Sequence, residues 1–227
     1  MYKYRERNDL CVVKIVFEFL SLNFRTFLAV ALCSTMFLGC AQQLEFYELE
    51  EKGGIFFERK TGLPYTGTVV EHSDKGHLLR NLNLLNGKKE GIQRFYWNSG
   101  KRKLSVNYVE GKRNGLYESF HPTGKPEIKV QYEKDQRVGL LEEFYLDGTL
   151  RSRLHYLSGR RQGLQEVFYK EGNHLSIGQY NDDRRIGIWK KFTKAGQVRE
   201  LKVYDDESGE ILEQKCFVEG KESICDP

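Results

Sequence analysis

Apolar and polar residues alternate along short stretches of this chain, and the stretches recur. Leu104, Val106 and Tyr108, then Ile128, Val130 and Tyr132, share one parity, while Lys103, Ser105, Asn107, Lys129 and Gln131 take the other. A period of two of this kind marks a strand with one face buried. A second kind of strand opens on glycine and continues with Ile92, Leu116, Leu140, Leu164 or Ile188. Tyr96, Phe120, Phe144, Phe168 or Phe192 follows four residues later on the same side, which is read as the buried one. Neither kind contains a helical apolar period. Towards the C-terminus the pattern weakens: Ser176, Gly178, Glu200 and Lys202 hold the apolar parity while Ile177, Leu201 and Val203 move to the other. Either a bulge near Asn173 and His174 slips the register, or the sheet buries its opposite face there.

The strands fall in a repeat. Gly67, Gly91, Gly115, Gly139, Gly163 and Gly187 keep a constant period of 24 residues, and Gly76, Gly100, Gly124, Gly148, Gly172 and Gly196 form a second column in step. Tyr108, Tyr132, Tyr156, Tyr180 and Tyr204 form a third, with Leu84 in the place of the first member. Fixed-period self-similarity is the signature of a repeat architecture. Each unit reads as two strands and two turns. The first turn is tight and carries glycine, as in Asn98-Ser99-Gly100 and Leu146-Asp147-Gly148, where a positive φ is required. The second is polar, as in Glu110-Gly111-Lys112-Arg113 and Ser158-Gly159-Arg160-Arg161.

Composition agrees with turns joining aromatic strands: 22 Gly beside 4 Pro, with 13 Tyr and 14 Phe. The 39% hydrophobic and 30% charged residues supply a core and argue against wholesale disorder or a multi-span membrane protein. The net charge of +4 is spread along the chain and makes no case for nucleic acid.

The first 39 residues differ from the rest. Lys3, Arg5, Arg7, Lys14 and Arg25 precede an uncharged run from Thr26 to Gly39, the layout of a basic n-region and apolar h-region of an export signal. Fourteen helical residues rise about 21 Å, short of the ~30 Å hydrocarbon core, which disfavours a permanent span. Phe37-Leu38-Gly39-Cys40 resembles the lipobox of bacterial lipoproteins, with Phe37 where Leu is usual. That resemblance implies lipidation of Cys40, and Ala41 after it implies passage to the outer membrane. The n-region is long for a signal, so a translation start near Leu20 or Leu22 is expected. Cys216 and Cys225 remain as an even pair, which a terminal loop could close with a disulfide or leave as two free thiols.

The recurring Gly-Leu-x-x-x-Phe-x-x-x-Gly followed by Tyr and a turn, with the opening Lys60-Thr61-Gly62-Leu63-Pro64-Tyr65-Thr66-Gly67, resembles the bacterial variant of the MORN repeat. The likeness covers roughly Leu63 to Tyr204. It implies an all-β fold, an elongated single-layer antiparallel sheet of consecutive β-hairpins. The expected organisation is a signal peptide over 1–39, a lipidated tether over 40–54, six repeats within 55–204 and a C-terminal cap over 205–227.

Candidate chemistry is sparse. His72, His77, His121, His155 and His174 fall at five different offsets in the repeat, so stacking does not gather them, and no metal or other cofactor is expected. Glu118, Glu142 and Glu166 share an offset, but copies ~10 Å apart across an intervening strand suit a charge column better than acid–base work. No phosphate loop or nucleophile motif is present, so no catalytic residue is assigned. Lys88, Lys89, Lys112, Arg113, Arg160, Arg161, Arg184 and Arg185 mark turn tips that would align as a basic edge. The expected function is therefore a non-catalytic, lipid-anchored envelope protein that binds an unidentified protein or envelope component, without nucleic acid or a small-molecule substrate. Some members of the resembled family are labelled antitoxins, which gives the alternative of a cytosolic protein neutralising a toxin by direct binding.

Overall fold

In the computed structural model, which describes residues 43–225, alternation and turns resolve into hairpins laid side by side. An N-terminal part comprises β1 (Gln43–Glu45), a 3-10 helix (Phe46–Glu48), β2 (Leu49–Lys52) and β3 (Ile55–Glu58). The repeats follow as β4 (Gly67–His72) with β5 (Leu78–Leu85), the short β6 (Lys88–Lys89), β7 (Gly91–Tyr96) with β8 (Arg102–Val109), and β9 (Lys112–Phe120) with β10 (Pro126–Glu133). They continue as β11 (Gln136–Phe144) with β12 (Leu150–Leu157), β13 (Arg160–Phe168) with β14 (His174–Asn181), and β15 (Arg184–Phe192) with β16 (Val198–Tyr204). Two last strands are β17 (Ile211–Val218) and β18 (Lys221–Ser223). From β4 to β18 neighbours in sequence are neighbours in one antiparallel sheet, with β6 paired to β5, and β1 joins its edge parallel to β4. This is the all-β array of consecutive hairpins that the repeat implies.

The glycine and tyrosine columns are two halves of one arrangement. Gly91, Gly115, Gly139, Gly163 and Gly187 stand directly opposite Tyr108, Tyr132, Tyr156, Tyr180 and Tyr204 across the hairpin. A residue without a side chain leaves room for the aromatic ring opposite, a pairing that compensates the weakness of glycine in a strand. The polar turns carry positive φ at two successive residues, for example Glu110 and Gly111 at 50° and 81°. This is the geometry whose twist matches the flanking strands. At the other end of each hairpin the ladder shifts by one residue, so that Phe120 faces Pro126 while Ser119 faces Ile128. The same shift recurs at Phe144, Phe168 and Phe192.

Alternation along the strands separates two faces. On one lie Val106, Val130, Tyr132, Leu141, Leu154, Tyr180, Trp189 and Tyr204, all buried. The other carries Leu116, Leu140, Leu164 and Ile188, of which Leu164 and Ile188 are 41% and 55% exposed, and the part-buried Phe120, Phe144, Phe168 and Phe192. The buried side of the first strands is thus the parity of Gln93, Tyr117, Leu141, Gln165 and Trp189, not the parity of Ile92 and Phe144. Gln93 hid this assignment because it is polar yet fully buried. Its side-chain oxygen accepts the Asn83 N–H at 2.9 Å, and its amide donates to the carbonyls of Asn83, Glu90 and Gly91, closing the break between β6 and β7. Backbone partners of this kind make a buried amide tolerable.

No register slip explains the C-terminal change of pattern. Ser176, Gly178 and Tyr180 stay on the buried face opposite Val167, Gln165 and Gly163. There the large residue comes from the first strand instead: the Trp189 ring occupies the space over Gly178 and meets Tyr180 and Tyr204 edge-on. Ile177, Leu201 and Val203 are part-buried on the opposite face.

Adjacent repeats are also tied through an aromatic column next to the first turn. Trp97 Nε1 donates to the Phe120 carbonyl at 3.1 Å, His121 Nε2 lies 3.1 Å from that of Phe144, and Tyr145 and Tyr169 donate to those of Phe168 and Phe192 at 2.7 and 2.8 Å. Each bond spans one repeat, which couples neighbours as quasi-linear arrays require.

The N-terminal end differs from the expected tether. From Gln43 the chain is folded, and Leu44, Leu49, Phe56 and Tyr65 form a cluster with Val69, Leu82 and Leu84 that closes the first repeat. Gly87 makes this possible, since a Cβ there would lie 2.6 Å from Ile55 Cγ2. The tail beyond Tyr204 extends the sheet by β17 and β18, and the three-residue β18 leaves little free edge. Cys216 and Cys225 are joined in a disulfide with Cα atoms 5.2 Å apart. Cys40 lies outside the described residues.

Candidate binding face

The residue that follows each polar turn is a cation whose side chain reaches the tyrosine column. In hairpin after hairpin the strands place Arg113 opposite Tyr108, Arg137 opposite Tyr132, Arg161 opposite Tyr156 and Arg185 opposite Tyr180, all on the buried face. Each cation also lies over the tyrosine one repeat further on. Lys89 Nζ is 5.4 Å from the Tyr108 ring centre, and the guanidiniums of Arg113, Arg137, Arg161 and Arg185 are 4.2, 5.4, 4.2 and 5.8 Å from those of Tyr132, Tyr156, Tyr180 and Tyr204. A cation over an aromatic face is held by the ring quadrupole, and Arg stacks especially well. Hydrogen bonds fix the guanidiniums further: Arg161 and Arg185 donate to the hydroxyls of Tyr180 and Tyr204 at 2.9 and 3.0 Å, and Arg137 donates to both Tyr132 and Tyr156 at 3.3 Å.

The row alternates in how its charge is balanced. Arg113 Nε donates to Asp135 Oδ1 at 2.9 Å and Arg161 Nε to Asp183 Oδ1 at 2.8 Å. Those two aspartates stand where the other polar turns have glycine, at φ 71° and 68°. The arginine hydrogen bond holds each carboxyl below the usual aspartate range. Among the described residues, Arg137 and Arg185 make no ion pair with a carboxylate, and the bond to Tyr132 raises the Arg137 pKa further. The basic turn tips expected from sequence therefore sort into unlike groups. Arg160 pairs with Asp182 at 2.6 Å and Arg184 donates to the Glu207 carbonyl, whereas Arg113, Arg161 and Arg185 belong to the stacked row. Arg137 was hidden because Lys134-Asp135-Gln136 replaces the Gly-Lys signature in front of it, though its 24-residue spacing from Arg113 and Arg161 is visible.

Beside the row runs a groove of about 390 Å³, floored by Val130, Leu141 and Leu154 and flanked by Tyr117, Ile128 and Tyr156. Burial raises the pKa of Tyr117, so its hydroxyl is uncharged at neutral pH. Among the groove's lining residues, Ser152 Oγ donates to Glu143 at 2.9 Å.

The opposite face has a different electrostatic character. Glu118, Lys129, Glu142, Arg153 and Glu166 are successive cross-strand partners, a ladder of alternating sign. Glu166 binds Arg153 Nε and lies 3.0 Å from His174 Nε2, and chiefly the Arg153 bond lowers its pKa. The carboxylates that share an offset are thus interleaved with cations. His72 contacts Glu45, His121 a carbonyl and His174 Glu166, so the histidines do not converge, and no cluster of three metal-binding side chains occurs among the described residues. No helix among those residues is long and apolar enough to cross a membrane.

Four consecutive stretches, residues 89–110, 113–134, 137–157 and 161–182, match the family described as MORN repeat variant. Each match opens on a cation of the stacked row: Lys89, Arg113, Arg137 and Arg161. No curated protein matches the chain. Among solved structures, the crystal structure of TarM is similar at 16% identity and a TM-score of 0.27, over 40% of this chain and 18% of that one. A mutant of S. aureus TarM in complex with Fondaparinux, alpha-GlcNAc-glycerol and UDP is similar at 15% identity and a TM-score of 0.28, over 39% and 18%. This chain spans less than a fifth of the length of either.

Proposed function

The chain is a protein of consecutive MORN repeats of the variant type, and from that premise we propose that it is a non-catalytic envelope lipoprotein whose repeat sheet is a binding scaffold. The observation that supports binding is the Arg–Tyr row: cations at one spacing, held against aromatic rings beside an open groove. A row held in this way is preorganised, so little side-chain entropy is lost on contact with a partner. Absence of catalysis is inferred from the carboxylate column, where each acid is flanked by Lys129 or Arg153 instead of facing a second acid across a substrate gap.

Anchoring is inferred from sequence: the charged start, the apolar run from Thr26 and the lipobox-like Phe37-Leu38-Gly39-Cys40 support lipidation of Cys40, and Ala41 after it supports sorting to the outer membrane. Metabolic labelling with a fatty-acid probe tests this. The wild-type chain takes up label in the envelope fraction, and Cys40→Ser does not. Unlabelled wild-type protein recovered as soluble cytosolic material would reject the anchor. For the scaffold itself, cross-linking and pull-down from envelope extracts is expected to recover a partner whose capture falls when Arg137 and Arg185 are changed to Gln.

A further inference from the structure

The aromatic column beside the first turn has six places at the 24-residue period: Ser73, Trp97, His121, Tyr145, Tyr169 and Thr193. Each of the four rings spans one repeat to a backbone carbonyl. The two end places have no ring. There the hydroxyl turns back on its own hairpin: Ser73 Oγ accepts the His77 N–H at 3.1 Å, and Thr193 Oγ1 accepts that of Gln197 at 3.2 Å. A cleft of about 690 Å³ opens where a ring at residue 73 would lie, and one of about 450 Å³ where a ring at residue 193 would lie. Their walls correspond, since Leu79, Tyr96 and Trp97 of the first become Arg199, Cys216 and Phe217 of the second, five repeats further on. The clefts are the volumes that column rings fill elsewhere.

The filled places show what fits the first cleft. One repeat on, the Trp97 indole lies 4.6 Å from Lys103 Nζ and donates to the Phe120 carbonyl. Leu79 and Tyr96 hold the equivalent positions in the cleft, beside Phe95 and the Trp97 ring. These walls suit a flat apolar ring, which Trp97 can meet edge-on or offset. The polar groups ask for a donor: the Tyr96 carbonyl is the acceptor that a column ring would take, and the buried Glu71 oxygen, ion-paired with Arg80, has no hydrogen bond. In the second cleft Lys191 and Arg199 stand in place of Glu71 and Leu79, so it lacks both the acid and the aliphatic wall.

We propose that the first cleft binds a tryptophan or tyrosine side chain of a partner protein, whose ring N–H or O–H donates to the Tyr96 carbonyl. The proposal rests on the scaffold reading and gives its partner a chemistry.

The test is a titration of the full chain in detergent micelles with N-acetyl amides of tyrosine, tryptophan and phenylalanine, followed by the NMR signals of its two indole N–H groups. Trp97 lines the cleft and Trp189 does not, so only the Trp97 signal should move. The phenylalanine derivative has no ring donor and should bind at least about fivefold more weakly. Ser73→Tyr should place its own ring in the cleft, raise the thermal midpoint by about 2–4 °C and abolish the shift. Should that variant not fold, the tyrosine–phenylalanine comparison on the wild-type chain decides. Equal affinity for the two, a shift that survives in folded Ser73→Tyr, or binding of free p-cresol without binding of the tyrosine amide would overturn the proposal. So would a concentration-dependent Trp97 shift in the ligand-free protein that Tyr47→Phe removes, because the occupant would then be the exposed Tyr47 of a second copy. Envelope pull-down separates this failure from that of the scaffold reading. If no amide binds but wild type still captures a partner through Arg137 and Arg185, only the cleft assignment falls; if neither occurs, both fall.

Discussion

Gly178 lies beneath the indole of Trp189, and a Cβ at residue 178 would stand 2.0 Å from Trp189 Cδ2. The equivalent positions one and two repeats earlier hold Leu154 and Val130, opposite Gln165, Leu141 and Tyr117. Volume has been exchanged between strands. Gly178→Val should therefore destabilise by about 3 kcal/mol through overpacking, and Trp189→Leu by about 2–4 kcal/mol through the cavity it opens. The double variant should lose clearly less than the sum of the two, because it restores the combination of Val130 and Leu141 that packs two repeats earlier. Urea unfolding of the four proteins measures the coupling, and simple additivity would show that the two residues do not share that space.

Neighbouring leucines on opposite faces give a second comparison. Leu141 is buried at 7% exposure and Leu164 is 41% exposed. Leu141→Ala should cost about 2–4 kcal/mol and Leu164→Ala no more than about 0.5 kcal/mol. Thermal melts that rank them the other way would mean that the faces are exchanged.

Asp135 holds a left-handed conformation at φ 71° that glycine supplies in other repeats, and the Nε–H of Arg113 stabilises it there. Asp135→Ala keeps a Cβ in that conformation and loses the bond, so it should be less stable than Asp135→Gly by about 1 kcal/mol. Calorimetry on the pair is sufficient, and equal melting would remove the backbone explanation.

Glu166 sets a pH dependence. Its pKa is lowered in the folded state, principally by the Arg153 bond with a further contribution from His174. The carboxylate contribution to stability is then complete above the usual glutamate range and is lost as pH falls through the lowered folded value. The stability difference between wild type and Glu166→Gln should be constant above about pH 5 and shrink on acidification below it. A difference that grows towards low pH would contradict this sign.

Much of the fold is legible in the sequence because periodicity acts on every repeat alike. The glycine column, the tyrosine column and the two turns follow directly from spacing, since only glycine readily accepts the positive φ and the ring opposite needs its space. Face assignment in the first strands is not legible in the same way. Apolar identity favours the parity of Leu116 and Phe120, but a single-layer sheet has two partly covered faces. The deciding column, from Gln93 through Leu141 and Gln165 to Trp189, mixes polar and apolar residues. Gln93 is buried because backbone groups satisfy its amide, and that partnership is a tertiary fact. The row of cations was only half visible: Arg161 appears as a turn tip, while its stacking on Tyr180 depends on an inter-repeat register that no single hairpin specifies. The folded start at Leu44 and Leu49 is not legible in the sequence because those residues precede the repeat and match no column.

The claim that the face bearing the Arg–Tyr row is the binding surface is tested most directly by a photo-crosslinking amino acid placed at two adjacent positions. Gln165 lines the groove and Leu164 points to the opposite face. In cells, substitution at Gln165 should yield a covalent adduct with a partner and substitution at Leu164 none. Adducts from Leu164 alone, or from neither position while the protein is folded and abundant, would contradict the assignment.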